Sequence, residues 1–411
     1  MKYENGVVTL HPFGGGMNNR VQKASIPENF VRNAVNADFA NDGSIRQRGG
    51  MTKTLACIAP KGGYSCPLGR YFIEGSKLKQ FNGSSPATVI YSGIVGTTFT
   101  YEYFNDTVYF SDGVISLKIT ATAVTKWGVT PPTAPALSTT SGVCGAGRYL
   151  ACCVWVDAAG VESGPSEIVS IDAQASCGIV FGNLPHIVDS QAVALRLYLS
   201  MPNGIELFHV ADTTSSSYTI AAGTYDNSNV FDGHFISPPP AGRIIRLYNA
   251  RAYVADALGT IWYSEPYSFD QFRLGSNFLQ FPAVVDIMEP VADGLFLAYG
   301  GRTEFWAGTP EDGFTVTKKF DYGGVYGTGR RVPTSSNVAW QSQRGLVIGA
   351  PGGECKNVQE ANVAVETAVS GATLIREQDG IRQFIASLQQ PTTSTLAASS
   401  WITAELVRRA E

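Results

Sequence analysis

Apolar and polar positions alternate in short runs along this 411-residue chain, and Gly, Asn and Asp separate the runs. Alternation with a period of two marks half-buried strands, and such turn residues between two runs mark hairpins. Residues 36–39 and 45–48 flank Asn41-Asp42-Gly43, and residues 71–73 and 77–81 flank Glu74-Gly75-Ser76. Residues 100–104 and 107–110 flank Asn105-Asp106, with Phe99, Tyr101 and Tyr103 on alternate positions. Asp-Gly tolerates the positive φ that tight hairpin turns need. The pattern returns late in the chain, at residues 246–264, 295–306, 338–348 and 373–388.

Between these two stretches lies a different one. It runs from Pro131-Pro132-Thr133-Ala134-Pro135 to Pro238-Pro239-Pro240. Its strands are longer, at residues 146–157, 192–199, 205–210 and 217–220. Their number and spacing match an immunoglobulin- or fibronectin-like β-sandwich. The later hairpin units recur at roughly 40–50 residues, the blade range of a β-propeller. The expected fold is therefore all-β, a β-propeller of six or seven units with an inserted β-sandwich. A mixed sandwich or barrel is the alternative. The expected divisions are an N-terminal arm with a short helix (1–36), a first propeller part (37–130), the insert (131–237), a second propeller part (238–390) and a C-terminal tail (391–411). Ser25 as N-cap, Pro27 in the first turn and Glu28 three residues after the cap predict the helix at 25–34. The tail predicts either a short amphipathic helix beginning at Trp401 or a frayed end.

Composition narrows the function. Only 16% of residues are charged, against the usual quarter, while Gly numbers 44 and aromatics reach 11%. That suits turn-rich β protein with large buried interfaces. A net charge of −4 gives no basic field for wrapping nucleic acid, although a mildly acidic wall lets a polyanion pass without sticking. Seven cysteines, with Cys152 and Cys153 adjacent in an apolar run, make a poor disulfide framework and predict buried free thiols in a reducing compartment. The N-terminus lacks the apolar core of a signal peptide, and no apolar run approaches the ~18 residues that span a bilayer.

Catalytic motifs are sparse. His11, His186, His209 and His234 are dispersed, and neither HExxH, GxSxG, CxxC nor a Walker loop occurs. The glycine-rich stretch 323–331, ending in Arg330-Arg331, offers backbone to an anion but lacks the strand-to-helix setting of a phosphate loop, and reads first as a connection between sheets. Trp262-Tyr263 and Trp306 would suit a sugar, and read first as packing between sheets. No enzyme, cofactor or metal is expected.

Several motifs carry a resemblance. Gly14-Gly15-Gly16-Met17-Asn18-Asn19-Arg20, then 26–38 with Ile26-Pro27-Glu28-Asn29-Phe30-Val31-Arg32-Asn33-Ala34, then Gly43-Ser44-Ile45-Arg46-Gln47-Arg48-Gly49-Gly50 resemble the start of phage tail structural proteins. Residues 156–166 with 195–200 resemble their fibronectin-like insert, and 242–251 with 262–266 the blade that follows. The layout is similar to the tail nozzle, the distal tail-tube protein of short-tailed bacteriophages. That resemblance implies a virion protein of the tail, assembled in the host cytoplasm. It implies a homo-oligomeric ring of six around a channel through which DNA passes without sequence-specific binding, involved in tail closure and genome ejection. Implied partners are tail adaptor and tube proteins and tail-tip or tailspike proteins. The chain is compact for that group, so extra tip domains are not expected on it. Gly14, Gly15, Gly16, Asn18, Arg20, Trp401 and Leu406 are the candidate subunit contacts. Alternatives are a receptor- or carbohydrate-binding tail or baseplate propeller, and a propeller glycosidase with converging carboxylates.

Overall fold

The computed structural model describes residues 2–4, 7–9, 12–40, 42–50, 52–83, 86–220, 226–378, 381–391 and 401–406. Among these, every regular element is a β-strand apart from two 3-10 turns, Lys23–Ser25 and Pro351–Gly353. The protein is all-β, built from many small antiparallel sheets. It divides into two compact units, Cys57–Asp256 with Thr260–Gln280, and Met1–Ala56 with Ala257–Gly259 and Phe281–Glu411.

The first of these, the insert-bearing unit, holds three meanders. Sheet I comprises Lys61–Cys66, Gly69–Glu74, Lys77–Phe81 and Thr88–Ser92, and sheet II Thr100–Phe104, Thr107–Ser111, Ser116–Ile119 and Val124–Lys126. Sheet III comprises Ile244–Tyr248, Arg251–Ala255, Thr260–Tyr263 and Phe278–Gln280. Within each sheet the strands pair in chain order, most through short turns, while Phe81 to Thr88 and Tyr263 to Phe278 are joined by longer segments, the second of which carries the short strand Phe272–Arg273. Asn105 and Asp106 both sit at φ +50, as a two-residue hairpin with right-twisted strands requires. Alternate residues fill the spaces between sheets. Tyr71, Ile73 and Leu78 of sheet I meet Tyr101, Val108, Phe110, Leu117 and Ile119 of sheet II. From the other face of sheet II, Phe104 and Tyr109 join Trp127 against Ile245, Ala252, Val254 and Phe272. Each side chain of this size, fully buried, contributes roughly 1.5–3 kcal/mol.

Between sheets II and III the chain builds two further sheets. One has three strands, ordered Ala136–Cys144, Cys177–Gly182, Tyr218–Ile220. The other has five, ordered Val169–Ala173, Gly147–Val156, Ala194–Ser200, Leu207–Thr213, Asp226–Val230. Gly147–Val156 explains its own unbroken apolar run. Tyr149, Ala151, Cys153 and Trp155 face the three-stranded sheet, sharing a core with Ile179, Phe181, Leu195, Leu197 and Ile220. Cys152, Val154 and Val156 face the opposite way, toward Tyr198, Leu207 and Phe231. A strand buried on both faces cannot show polar alternation.

The second, terminal unit repeats the meander plan. Sheet IV comprises Val285–Val291, Gly294–Tyr299, Arg302–Ala307 and Thr315–Phe320. Sheet V comprises Arg330–Arg331, Val338–Ser342, Gly345–Ala350 and Glu354–Asn357, and sheet VI Ser370–Gln378, Ile381–Gln389 and Trp401–Leu406. Phe296, Phe305 and Ile287 of sheet IV pack on Val338, Trp340 and Val347 of sheet V. Ala339 and Leu346, on the other face of sheet V, meet Phe384, Ala386 and Leu388 of sheet VI.

Two expectations need correction. No helix forms at 25–34: the 3-10 turn stops at Ser25, Phe30 N–H donates to Pro27 O, and Phe30–Val31 is a strand parallel to Gly16–Met17. Pairing with the glycine arm gives these backbone groups partners that a one-turn helix could not supply. The Trp401 segment is neither helix nor frayed end. Trp401–Leu406 is a strand paired with Ile381–Gln389, in the register Ser387↔Trp401 to Arg382↔Leu406. The expected turn residues Asn41, Asp379 and Gly380, and the 392–395 stretch of the tail, lie outside the described residues.

Candidate interaction site

The glycine arm is built for close approach. A Cβ on Gly15 would lie 2.7 Å from Phe30 Cε2 and 2.8 Å from Asn29 O, and Gly16 sits at φ +77. These glycines let residues 13–17 lie flat on the 29–31 segment. The chain then turns through Asn18, which is buried. Asn18 N–H donates to Val31 O at 2.7 Å, and its side-chain oxygen accepts from the Arg20 and Val21 amides. Asn19 donates its backbone N–H to Asn362 O at 3.0 Å. Its Oδ1 accepts from Ala364 N–H at 2.7 Å and its Nδ2 donates to Ala364 O at 3.4 Å. Arg20 Nε donates to Val363 O at 3.2 Å.

The expected contact residues Asn18 and Arg20 are thus brought together, with Asn19, on the 362–364 loop of their own chain. A second tie follows at Asp38, which accepts from Arg48 at 2.7 Å and Arg376 at 3.0 Å. Burial would raise the Asp38 pKa, but hydrogen bonds from Arg48 and Gln383 and the two guanidinium charges prevail and lower it. The hairpin of Ala37–Phe39 and Ile45–Gln47 is therefore tied through Arg376 and Gln383 to both Ser370–Gln378 and Ile381–Gln389, whereas Trp401–Leu406 pairs beyond Ile381–Gln389 in the same sheet. Trp401 and Leu406 stand at the two ends of their strand, opposite Ser387 and Arg382.

Sequence reasoning missed a groove between the outer strands of sheets IV and V. Its cavity measures about 440 Å³, with Phe320, Ile348, Ala350 and Cys355 as an apolar lining and Lys318, Lys356 and Glu354 as charged groups. Thr315–Phe320 and Glu354–Asn357 are each the last strand of their sheet. No sequence signal joins residues on two separate sheets. The Cys355 thiol lies 3.0 Å from Tyr322 Oη, and burial pushes it up to about 11, so it is protonated at neutral pH and no nucleophile.

Two buried carboxylates, Asp112 and Glu304, serve the fold. Asp112 is fully buried. Its Oδ2 accepts from Val95 and Gly96 N–H at 3.0 and 2.8 Å, and its Oδ1 from Val114 and Ile115 N–H at 2.8 and 2.7 Å. Burial alone would raise its pKa, but the four backbone donors outweigh burial and lower it. One side chain thereby fixes the loop entering sheet II to a turn within it. Glu304, 3% exposed, accepts from Tyr299 Oη at 2.6 Å and Trp306 Nε1 at 3.1 Å, and pairs with Lys319 at 3.2 Å. His209 meets Asp212 at 3.1 Å.

The glycine-rich stretch 323–331 has packing reasons for its glycines. A Cβ on Gly324 would lie 2.1 Å from Ile287 Cγ1, and on Gly327, at φ +82, 2.2 Å from Gly371 O. Arg330 Nε donates to Thr373 O at 3.0 Å. The stretch crosses sheets tightly and leaves no open backbone cradle at Gly324 or Gly327. Trp306 and Trp262 lie against Phe281 and Phe278, with ring centroids 5.1 and 5.5 Å apart. Among the described residues, no group of three His, Cys, Asp or Glu side chains is placed to hold a metal ion.

No protein-family model and no curated protein matches the chain. Solved structures similar to it include BBS1N in complex with ARL6DN, with 10% identity, 83% of this chain and 96% of that chain covered, and a TM-score of 0.33. The WD40 domain of Neurospora crassa Pan2 shares 10% identity over 79% of this chain and 81% of that one, at a TM-score of 0.29. The β-propeller domain of Myceliophteria thermophila Cps50 (Swd1) shares 7% over 82% and 95%, at 0.32. Values this low assign neither a family nor a function to the chain.

Proposed function

We propose that this chain is a structural protein of a bacteriophage tail, in which several copies close into a ring at the distal end around the DNA channel. The observation that carries the reading is the plan of the sheets. Six small antiparallel meanders follow one another, and within each unit successive meanders share cores. The series is interrupted once, between Lys126 and Ile244, by two sheets enclosing their own core. In this reading the meanders are the blades of one β-propeller and the interruption is an immunoglobulin- or fibronectin-like insert. The resemblance of the 14–50 and 156–166 motifs to tail nozzle proteins supports it.

The chemistry supports a mechanical role as well. Asp112, Glu304, His209 and the thiols of Cys152, Cys153 and Cys355 are all occupied in packing or hydrogen bonds. The expected ring has six copies, formed by a heterologous interface whose rotation closes. Light scattering on the purified chain should give six times the chain mass, and electron micrographs should show rings with an open lumen. A monomer at tens of micromolar, at both low and physiological salt, would overturn the ring.

A further inference from the structure

The fold sets two of the seven cysteines opposite each other. Cys144 ends Ala136–Cys144, Cys177 begins Cys177–Gly182, and the two are direct cross-strand partners. An irregularity between Ser141 and Cys144 creates this register, because Ser141 is also aligned with Cys177. In a regular antiparallel pair opposed Cα atoms lie about 4.5–5.5 Å apart, and Cys144 meets Cys177 on the far side of a bulge in such a pair. The regular spacing falls inside the roughly 4.4–6.8 Å range of disulfides. Both side chains enter the same core, beside Tyr149, Ile179 and Ile220. At present each sulfur rests on a carbonyl, Cys144 Sγ on Ile220 O at 3.7 Å and Cys177 Sγ on Gln174 O at 3.0 Å. The other cysteines lack this geometry. Cys152 and Cys153, adjacent in one strand, point to opposite faces, into different cores.

We propose that Cys144 and Cys177 are an oxidisable pair that closes to a disulfide at the open end of the three-stranded sheet. The oxidant is hydrogen peroxide. Cys177, the more exposed at 9% against 3%, loses its proton to solvent and attacks the peroxide oxygen, giving a sulfenic acid and hydroxide, which takes up the proton as water. Cys144 sulfur then attacks the sulfenic sulfur. The S–S bond forms, the S–O bond breaks, and the departing oxygen leaves as a second water with the Cys144 proton. Two thiols are oxidised and one peroxide is reduced to two waters. Burial, and next to it the nearby Cys177, raises the Cys144 pKa, which keeps it a thiol until the sulfenic acid is beside it. The bond would close a loop that contains Gly147–Val156 and Val169–Ala173, the first two strands of the five-stranded partner sheet. Cross-linking that loop restricts the unfolded chain and stabilises the two-sheet core.

The test treats the full chain with stoichiometric hydrogen peroxide, followed by a non-reducing digest and mass spectrometry. The expected product is one linked peptide pair containing Cys144 and Cys177, lighter by two hydrogens. Its melting temperature should rise by on the order of 5 °C, reversibly with dithiothreitol, and neither effect should occur in Cys144→Ser. The digest of the unsubstituted chain decides the matter even where that variant folds poorly. Linkage through other cysteines, sulfinic acid at Cys177 without a cross-link, or no loss of these two thiols would each overturn the proposal.

Discussion

Replacing Asp112 with Asn tests whether one buried carboxylate holds sheet II to the loop that enters it. The substitution is isosteric. It keeps one acceptor oxygen but turns an amide NH2 toward two of the four backbone donors, leaving two buried N–H groups facing another donor. Hydrogen bonds to a charged acceptor contribute about 1.5–3 kcal/mol each, so losing two costs about 3–6 kcal/mol. For a unit of this size that lowers the melting temperature by on the order of 10 °C. The pH dependence gives a second readout. The folded pKa of Asp112 lies below its ordinary value of 3.8. The carboxylate's contribution is therefore full above the unfolded pKa and is lost as pH falls through the folded one. Urea unfolding should show a constant gap between the native chain and Asp112→Asn from about pH 5 to 7, narrowing below about pH 4. A gap smaller than about 1 kcal/mol at neutral pH, or one that widens in acid, would refute the reasoning.

Two further comparisons probe the terminal unit. Gly327→Ala should cost well over 2 kcal/mol, because its Cβ would meet Gly371 O at 2.2 Å, whereas Gly301→Ala, at similar φ but in open space, should cost about 1 kcal/mol; equal urea midpoints would contradict the packing argument. Asn19→Ala should cost about 1–2 kcal/mol and speed amide exchange at Ala364, whose N–H donates to Asn19 Oδ1, with Asn19→Asp intermediate since it keeps that acceptor; unchanged exchange at Ala364 would show that the arm is not held there.

Local rules reached far into this fold where one residue type decided the geometry. Asn105-Asp106 turns because both residues tolerate positive φ, and Phe99, Tyr101 and Tyr103 alternate because their strand has two distinct faces. The same rules misread 25–34, where a good N-cap and a proline describe a helix start but say nothing of the arm that pairs with Phe30–Val31. The tail carried a legible signal: Ile402, Ala404 and Leu406 alternate with Thr403 and Glu405, the period of a strand. The groove between sheets IV and V was beyond reach, since Phe320 and Cys355 meet only through the stacking of whole sheets. Asp112 was visible as part of Ser111-Asp112-Gly113, yet a turn motif does not reveal that two of its four donors come from Val95 and Gly96.

How the sheets end bears on what the chain can be. A free sheet edge is a template for further strands, and lysine is one of the residues that blunts it. The last strands of sheets II, IV and V carry Lys126, Lys318, Lys319 and Lys356, in a chain with only 16% charged residues. Of these, Lys319 is anchored on Glu304, and Lys318 and Lys356 flank the groove. Scarce charge is thus placed where open-ended strand pairing would otherwise begin. A protein proposed to assemble in a fixed number of copies needs that safeguard, because indefinite edge pairing competes with ring closure. Contacts between copies would then rest on side-chain surfaces and not on added strands. The salt dependence of assembly should accordingly report on the lysine-flanked groove only if an acidic surface of a neighbour occupies it.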